Sequence, residues 1–280
     1  MLALVLAGLF FTPLAGCAGA DGTPVGAGDP VEPDPVAPGF SPDRFRVSGL
    51  VLEDASHGPQ LCGPIILAIA PPRCGGPDVV GWSWDGLEHN TDGNARYGSF
   101  ELVGTYDGER FTLTEPPAPP TMERPAPPDE LRSACPPPEG GWQVVDDATA
   151  THSALQKAIN LASAAPAGAG FWIDQNGGEN DPKKLVLNAR FTEDLPGHEA
   201  RLRSLWGGAL CVSSAARTTA ELTRVQEEMV ALGGMLESSI DTAANQVRAT
   251  VWVVTDALQA KLAARFGPDT VALTGYLVPA

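Results

Sequence analysis

The sequence predicts an α+β protein, in which a small all-β barrel or sandwich is followed by a ferredoxin-like α+β domain with an internal pseudo-repeat. Three observations lead to this prediction. Short β-rich runs separated by turn formers occupy residues 40–115, a proline-rich stretch occupies residues 116–140, and residues 141–280 contain two similar series of strand and helix patterns. We therefore expect a β domain, a connector and an α+β domain over these three ranges.

The chain begins with an apolar run that is too short to cross a membrane. Residues 1–12 read MLALVLAGLFFT, whereas a membrane-spanning helix needs about 20 apolar residues. The run is therefore interpreted as the core of a signal peptide. Residues 17–39 contain no Lys, Arg or aromatic residue. Such a segment buries too little apolar surface to offset its ordering entropy, so it is expected to form a disordered tether.

The tetrapeptide LAGC at residues 14–17 resembles the lipobox of bacterial lipoproteins. The resemblance implies a signal peptide over residues 1–16, a mature chain that starts at Cys17, and a diacylglycerol on that thiol. Two acyl chains anchor a protein stably, so the expected location is the outer face of the cell membrane. An ordinary cleaved signal is the alternative. The basic start of the family pattern is missing here, which leaves an upstream start codon or an atypical signal open.

The remaining cysteines form an even set, as expected in an oxidising compartment. Three pairings are open, and we favour Cys62 with Cys74 and Cys135 with Cys211. The reason is that LCGPIILAIAPPRC contains Gly-Pro and Pro-Pro turn signals next to its two cysteines, as expected of a closed loop. In the chain-entropy model the two bridges contribute about 3 and about 4 kcal/mol. Zinc is the alternative use of four cysteines, but no C-x-x-C spacing occurs. We expect no metal and no other cofactor.

The β domain is predicted from strand patterns and Asp-Gly turns. The run FRVSGLVLE at residues 45–53 indicates a strand, and further strands are expected near residues 65–69 and 79–84. The run SFELVGTYDGERFTLTE indicates a hairpin with a type I′ turn at Asp-Gly, which sets Tyr106 opposite Glu109. One face of this hairpin is expected to be core, and it carries Phe100, Leu102, Phe111 and Leu113.

Three residues of the β domain are candidate ligand contacts. Trp82 and Trp84 flank one serine, so alternation along a strand places both indoles on one face, where an exposed pair stacks on sugar or peptide. The alternative is two core tryptophans. His57 has Glu53 and Asp54 nearby and is a candidate base; the alternative is a loop histidine beside a disulfide. The GWSWD run does not match the G-x-S-x-G nucleophile motif.

Three segments of the chain resemble segments of uncharacterised secreted actinobacterial proteins. They are HGPQLC, PPRCGGPDVVGWSWD and GTYDGERFTLTE. This resemblance implies no particular activity.

The α+β domain is predicted to be a duplication. After a helix over 149–164 capped by Asp146 or Asp147, the runs WIDQNGGENDPKKLVLNARFTED and SIDTAANQVRATVWVVTD share Ile-Asp, a polar turn, a β-rich run and a final Asp. These final residues, Asp194 and Asp256, suit helix N-caps. Each half then continues with a short amphipathic helix, an aromatic residue, a glycine stop and a strand.

A longer helix is expected between the two halves. Thr218 and Glu221 form a capping box, and Gly233-Gly234 end the helix. We expect the two halves to share one sheet covered by helices. Their pattern is similar to prosegments of actinobacterial exported proteases, and this resemblance implies an inhibitor or chaperone module.

The residues exclude some functions and leave the specific one open. A net charge of −16 disfavours nucleic-acid binding. The four histidines are scattered, HExxH is absent, and DQNGGEND matches a calcium loop only in part. No catalytic residue is therefore assigned. We expect an envelope protein, anchored to the membrane through lipidated Cys17, that binds a peptide, a protein or a cell-wall ligand without catalysis. The alternatives are the prosegment-like module and a hydrolase with an unrecognised site.

Overall fold

The computed structural model describes residues 44–64, 72, 74–120 and 131–280. The predicted signal peptide, Cys17, the tether and the strand near 65–69 lie outside the described residues. The described chain is a mixed α+β structure. It contains a seven-stranded sheet, followed by two βαβ-type repeats with four helices and two three-stranded sheets.

The seven-stranded sheet contains a closed circuit of five strands. Its strands are β1 Arg44–Glu53, β2 Gln60–Leu61, β3 Asp78–Val80, β4 Asn90–Asp92, β5 Ala95–Tyr106, β6 Arg110–Leu113 and β13 Val278–Pro279. In the circuit, β1 pairs with β2 and β5, β2 pairs with β3, β3 pairs in parallel with β6, and β6 pairs with β5. β4 extends the sheet beside β5, and β13 extends it beside β1.

The core of this sheet comes from alternate residues of its long strands. β1 buries Phe45, Val47 and Val51 on one face, and the neighbouring β5 buries Phe100 and Leu102 on the same face, where Val47 lies opposite Leu102. This alternation is the one that the sequence predicts for a half-buried strand. The strand at residues 45–53 and the core face of the hairpin are therefore confirmed.

The hairpin between β5 and β6 has a wider turn than the sequence predicts. Tyr106 lies opposite Phe111 and not opposite Glu109. The Asp107 carboxylate accepts hydrogen bonds from the backbone N–H groups of Glu109 and Arg110, and this local bonding replaces the type I′ turn. Because the register moves by two residues, the same side chains still face the core.

The C-terminal half of the chain is a duplication, as predicted. In each copy the first two strands are antiparallel, and the third is parallel to the second after a crossover helix. We call them repeat 1 and repeat 2. Repeat 1 contains α1 His152–Ala164, β7 Gly168–Asp174, β8 Val186–Phe191, α2 Leu195–Arg203 and β9 Ala209–Ser214. Repeat 2 contains α3 Thr219–Leu232, β10 Met235–Asp241, β11 Gln246–Val251, α4 Asp256–Phe266 and β12 Val271–Gly275.

The strand registers of the two repeats match. Ile173 pairs with Leu187 in repeat 1, and Ile240 pairs with Val247 in repeat 2. Both hairpins also have an irregularity at the start of their first strand. The Ile-Asp match seen in the sequence therefore marks equivalent positions in space.

The prediction that the two repeats share one sheet is wrong, because each forms its own three-stranded sheet. Helix α3 packs on β10 and β11 and also contacts β7, so it lies at the junction of the repeats. Side chains connect the sheets there. The Arg190 guanidinium donates to the carbonyl oxygens of Ser214, Thr242 and Ala243.

Two helix caps differ from the prediction, and two are as predicted. α1 begins at His152 with Thr151 as its N-cap, because Asp146 instead bonds Ala148 and Thr149 in a separate turn. α4 has Thr255 as its N-cap, and Asp256 is its first helical residue. The Thr218–Glu221 capping box and the Asp194 cap are confirmed.

The structure contains the two disulfides that the sequence favours. Cys62 bonds Cys74, with Cα atoms 4.9 Å apart, and Cys135 bonds Cys211, with Cα atoms 5.7 Å apart. Disulfides persist in oxidising compartments, so they indicate an extracytoplasmic location. Among the described residues, none of the helices has the length and apolar character needed to span a bilayer.

The connector segment 131–142 lies on the face of the repeat 1 sheet opposite its helices. Ser133 donates from its N–H and its hydroxyl to Asp174, at 2.8 and 2.9 Å. Asn188 accepts from the N–H of Ala134 at 3.0 Å. The side chains of Asp174 and Asn188 are both buried, and these bonds give their polar atoms hydrogen-bond partners.

Candidate functional site

The two tryptophans of the GWSWD run contribute to the core of the seven-stranded sheet. β3 ends at Val80, so Trp82 and Trp84 follow it in irregular structure, and the alternation of a strand does not apply to them. Their ring centroids lie 5.0 Å apart, edge to face. Trp84 is 8% exposed and donates its Nε1–H to Glu53, while Trp82 is partly buried against Phe100. The pair therefore presents little indole surface to a ligand.

His57 lies in an exposed loop and lines none of the clefts described below. Its Nδ1 is 3.5 Å from the Asp54 carboxylate. That carboxylate accepts backbone N–H bonds from Ser56 and His57, and the bond from Ser56 is the main reason why the pKa of Asp54 is lowered. The pair thus forms a local turn.

An apolar cleft lies where repeat 2 meets the β5–β6 hairpin. Its volume is about 190 Å³, and we call it the repeat-2 cleft. Two helices, the end of β11 and the hairpin form its walls. The residues that define these walls are Met229 and Leu232 from α3, Leu258 and Leu262 from α4, and Tyr106 and Gly108 from the hairpin.

Two glycines leave backbone exposed at the rim of the repeat-2 cleft. Gly233 ends α3 with a φ of 73°, and Gly234 follows with a φ of 77°. A Cβ atom at either position would meet no atom within 4 Å. The positive φ at both positions favours glycine, because other residues rarely adopt it. Since neither residue has a side chain, this part of the rim stays open.

The junction beside this cleft is packed by aromatic rings. Trp252 lies 6.2 Å from Tyr106 and 5.6 Å from Tyr276, measured between ring centroids. Its ring also approaches Gly76 so closely that a Cβ there would lie 2.9 Å from it. Leu277, which follows Tyr276, is 2% exposed in the core of the seven-stranded sheet. Repeat 2 and this sheet therefore share one packed junction.

Tyr106 is held in a fixed position at the cleft wall. Its hydroxyl donates to the carbonyl oxygen of Gly108 at 2.8 Å. Burial raises the pKa of Tyr106 to about 12, so the hydroxyl stays protonated and uncharged at neutral pH.

A second cleft of about 440 Å³ lies in repeat 1, between the end of α1 and helix α2. We call it the repeat-1 cleft. Phe191 and His198 form part of its wall, and their rings stack with centroids 3.8 Å apart and an interplanar angle of 7°. Ala162, Ala165 and Leu202 line it from the two helices.

Burial shifts the pKa of His198, which lies in the wall of the repeat-1 cleft. Desolvation is the main cause that lowers the pKa of His198, and the nearby Arg201 lowers it further. Asp194 and Glu193 act in the opposite direction. Arg201 itself pairs with Asp194 at 3.1 Å. At neutral pH the imidazole is therefore uncharged.

The two clefts occupy equivalent positions in the repeats. The first helices can be matched by counting from their N-cap threonines, Thr151 and Thr218. The second helices can be matched from the aromatic residues near their ends, Trp206 and Phe266. The matched pairs that line the clefts are Ala162 and Met229, Ala165 and Leu232, Phe191 and Val251, His198 and Leu258, and Leu202 and Leu262.

The clefts offer apolar contact more than acid–base or metal chemistry. Within the part of the chain that the structure describes, no group of three or more His, Cys, Asp or Glu side chains is placed to hold a metal ion. His198 is stacked on Phe191, and its nearby carboxylate Asp194 caps α2 and pairs with Arg201. This arrangement serves helix capping and packing.

Comparison of the sequence with models of known protein families and with curated proteins gives no match. The clefts are therefore the features of the molecule from which a function can be inferred. Sequence reasoning missed the cleft residues because the leucines of α3 and α4 look like an ordinary core stripe. The duplication was the available signal, since it predicts that any cleft in one repeat has a counterpart in the other.

Proposed function

We propose that this protein is an extracytoplasmic, non-catalytic binding protein that holds one apolar side chain of a polypeptide partner in the repeat-2 cleft. The observation that carries the proposal is the cleft itself, an apolar space of about 190 Å³ with walls from repeat 2 and the β5–β6 hairpin. A cavity of about 150 Å³ accommodates benzene. The repeat-2 cleft therefore suits one aromatic or branched aliphatic side chain.

The rim supports a polypeptide as the source of that side chain. A peptide carries polar N–H and C=O groups beside each apolar side chain, and these need hydrogen-bond partners or water. Gly233 and Gly234 expose backbone at the rim. Apolar walls with a few polar groups at the edge are typical of sites that bind such mixed ligands.

The rest of the chain suits a protein held near a membrane. We infer that Cys17 carries a diacylglycerol and that residues 17–39 tether the folded part, while the disulfides support an oxidising location. Fractionation of the intact protein and of Cys17→Ala tests the anchor. Retention in the membrane fraction only for the intact protein is expected, and equal release of both would refute it.

We also infer that the closed circuit of β1, β2, β3, β6 and β5 is a small five-stranded barrel. Small Greek-key barrels of this size are filled by side chains. In this barrel Leu277 of the C-terminal segment is one of those side chains. The barrel thus serves as a rigid wall for the repeat-2 cleft.

Blocking the repeat-2 cleft tests the proposed function. Leu232→Trp places a large ring in the cleft, whereas Val230→Trp lies on the same helix turn at a position that is 62% exposed and outside the cleft. Both changes are made in a chain that also carries Ala164→Trp, which fills the separate repeat-1 cleft. In this background the affinity for N-acetyl-4-fluorophenylalaninamide, measured by fluorine NMR, should fall at least about tenfold with Leu232→Trp, which corresponds to about 1.4 kcal/mol. It should change less than about twofold in Val230→Trp. Equal binding by the two variants would contradict the proposal.

A further inference from the structure

We propose that the repeat-1 cleft is a second binding site, which takes an aromatic side chain of a polypeptide partner. The two clefts are lined by matched residues of the duplicated unit. The site in repeat 1 has its own walls, so this inference does not require that the repeat-2 cleft binds anything.

The differences between matched residues make the repeat-1 cleft wider. Ala162 and Ala165 stand where repeat 2 has Met229 and Leu232. The volume is correspondingly larger, about 440 Å³ against about 190 Å³. A cleft with short side chains on one wall accommodates a flat ring with more space beside it than the narrower cleft provides.

The opposite wall is suited to ring stacking. Phe191 and His198 are already stacked nearly parallel, and both line the cleft. Phe191 is 1% exposed and supports the imidazole from behind, so the partly buried ring of His198 is the one that a ligand ring can contact. Aromatic rings favour offset-stacked or edge-to-face contact with a further ring. The repeat-2 cleft has Val251 and Leu258 at these positions and lacks such a surface.

The repeat-2 cleft shows which group of this chain lies at the equivalent position in the other repeat. There the tip of a β-hairpin presents Tyr106 and Gly108 to the cleft. The described residues that line the repeat-1 cleft all come from repeat 1. Among the residues that the structure describes, none therefore takes the position equivalent to the Tyr106 hairpin, and the proposal assigns this position to a polypeptide partner.

Charges at the rim favour an uncharged ring. Arg201 is the cation at the cleft, and its guanidinium pairs with Asp194 at 3.1 Å. Glu193 and Asp194 lie on the α2 side, and the residues of α1 that line the cleft are uncharged. With the arginine compensated, an anionic ligand gains no ion pair, and the described lining of the cleft contains no carboxylate for a cationic one, so a neutral aromatic side chain is the ligand expected.

The test uses the full chain with Leu232→Trp as background, so that the repeat-2 cleft is blocked. Ala164→Trp fills the repeat-1 cleft from an exposed position, and Ser163→Trp is the control, because Ser163 is exposed but outside the cleft. N-acetyl-4-fluorophenylalaninamide is the probe in fluorine NMR titrations. Ala165→Leu, which copies the residue of repeat 2, is a second variant that changes less volume.

The probe should bind to the background chain and to its Ser163→Trp form with affinities within about twofold of each other. It should bind at least about tenfold more weakly to the Ala164→Trp and Ala165→Leu forms. An unchanged affinity in both cleft variants, or no binding by the background chain, would overturn the proposal. Neither outcome bears on the repeat-2 cleft, which is tested separately by the comparison of Leu232→Trp with Val230→Trp.

Discussion

Tyr106 in the β5–β6 hairpin and Trp252 at the end of β11 face each other with ring centroids 6.2 Å apart. One belongs to the seven-stranded sheet and the other to repeat 2, so this contact joins the two parts of the fold. The same two residues line the repeat-2 cleft. Stability of the junction and shape of the cleft are therefore linked.

Truncation of Leu277 should destabilise the whole described fold. Its side chain is 2% exposed in the core of the seven-stranded sheet, although it lies near the C-terminus. Leu277→Ala should lower the free energy of unfolding by about 2–5 kcal/mol, as measured by urea denaturation. Val278→Ala is the control, because Val278 is 47% exposed, and it should change the value by about 0.5 kcal/mol at most. Similar changes in the free energy of unfolding for both variants would contradict the packing of Leu277 in the core of the seven-stranded sheet.

Gly76 should not tolerate a side chain, whereas its neighbour should. A Cβ at Gly76 would lie 1.9 Å from the carbonyl oxygen of Leu61 and 2.9 Å from the ring of Trp252, and a Cβ at Gly75 would meet nothing within 4 Å. Gly76→Ala is expected to cost about 1–3 kcal/mol of stability. The melting temperature of Gly75→Ala, measured by thermal unfolding, should stay close to that of the unchanged protein. A harmless Gly76→Ala would mean that Trp252 does not pack there.

Loss of the Cys135–Cys211 disulfide should release the connector segment from repeat 1. The double change Cys135→Ser with Cys211→Ser should lower stability by about 2–5 kcal/mol, because the bridge closes a long loop. Limited trypsin digestion should then cleave faster after Arg132, which is exposed and lies within the segment. The matched control removes Cys62 and Cys74. If cleavage after Arg132 is as fast in that control, the segment is not held by Cys135.

The stability of the fold should depend on pH through His198. The pKa of His198 is lowered in the folded state, mainly by desolvation, so the unfolded chain binds a proton at a higher pH than the folded chain. Stability is therefore fully present above the unfolded pKa of about 6.5 and decreases as pH falls toward the folded pKa. His198→Leu, which copies Leu258, should show a smaller decrease between pH of about 7.5 and about 5 in urea denaturation. An identical decrease in both proteins would contradict the assignment.

Local patterns predicted much of the fold. The Thr218–Glu221 capping box, the glycine stop at Gly233, the strand at 45–53 and the duplicated Ile-Asp positions depend on neighbouring residues and are found as predicted. The turn at Asp107 was mispredicted because its side chain bonds two backbone N–H groups, which a dipeptide pattern does not reveal. The separation of the two sheets depends on long-range packing of α3, which no local pattern encodes.

The site could be predicted only in part. The sequence identified Trp82 and Trp84 as aromatic and close together, but their partial burial depends on where β3 ends. The clefts depend on how helices of one repeat meet, and in the case of Tyr106 on contact between residues far apart in the chain. Burial and tertiary contact of this kind do not follow from spacing.

A crystal structure of the protein soaked with N-acetyl-4-bromophenylalaninamide, in which anomalous scattering locates the bromine, tests the proposal that the clefts bind aromatic side chains. We expect bromine inside the repeat-2 cleft, in contact with Leu258 and Leu262, and a second bromine beside Phe191 and His198. Bromine found only elsewhere on the protein, with both clefts empty, would contradict it.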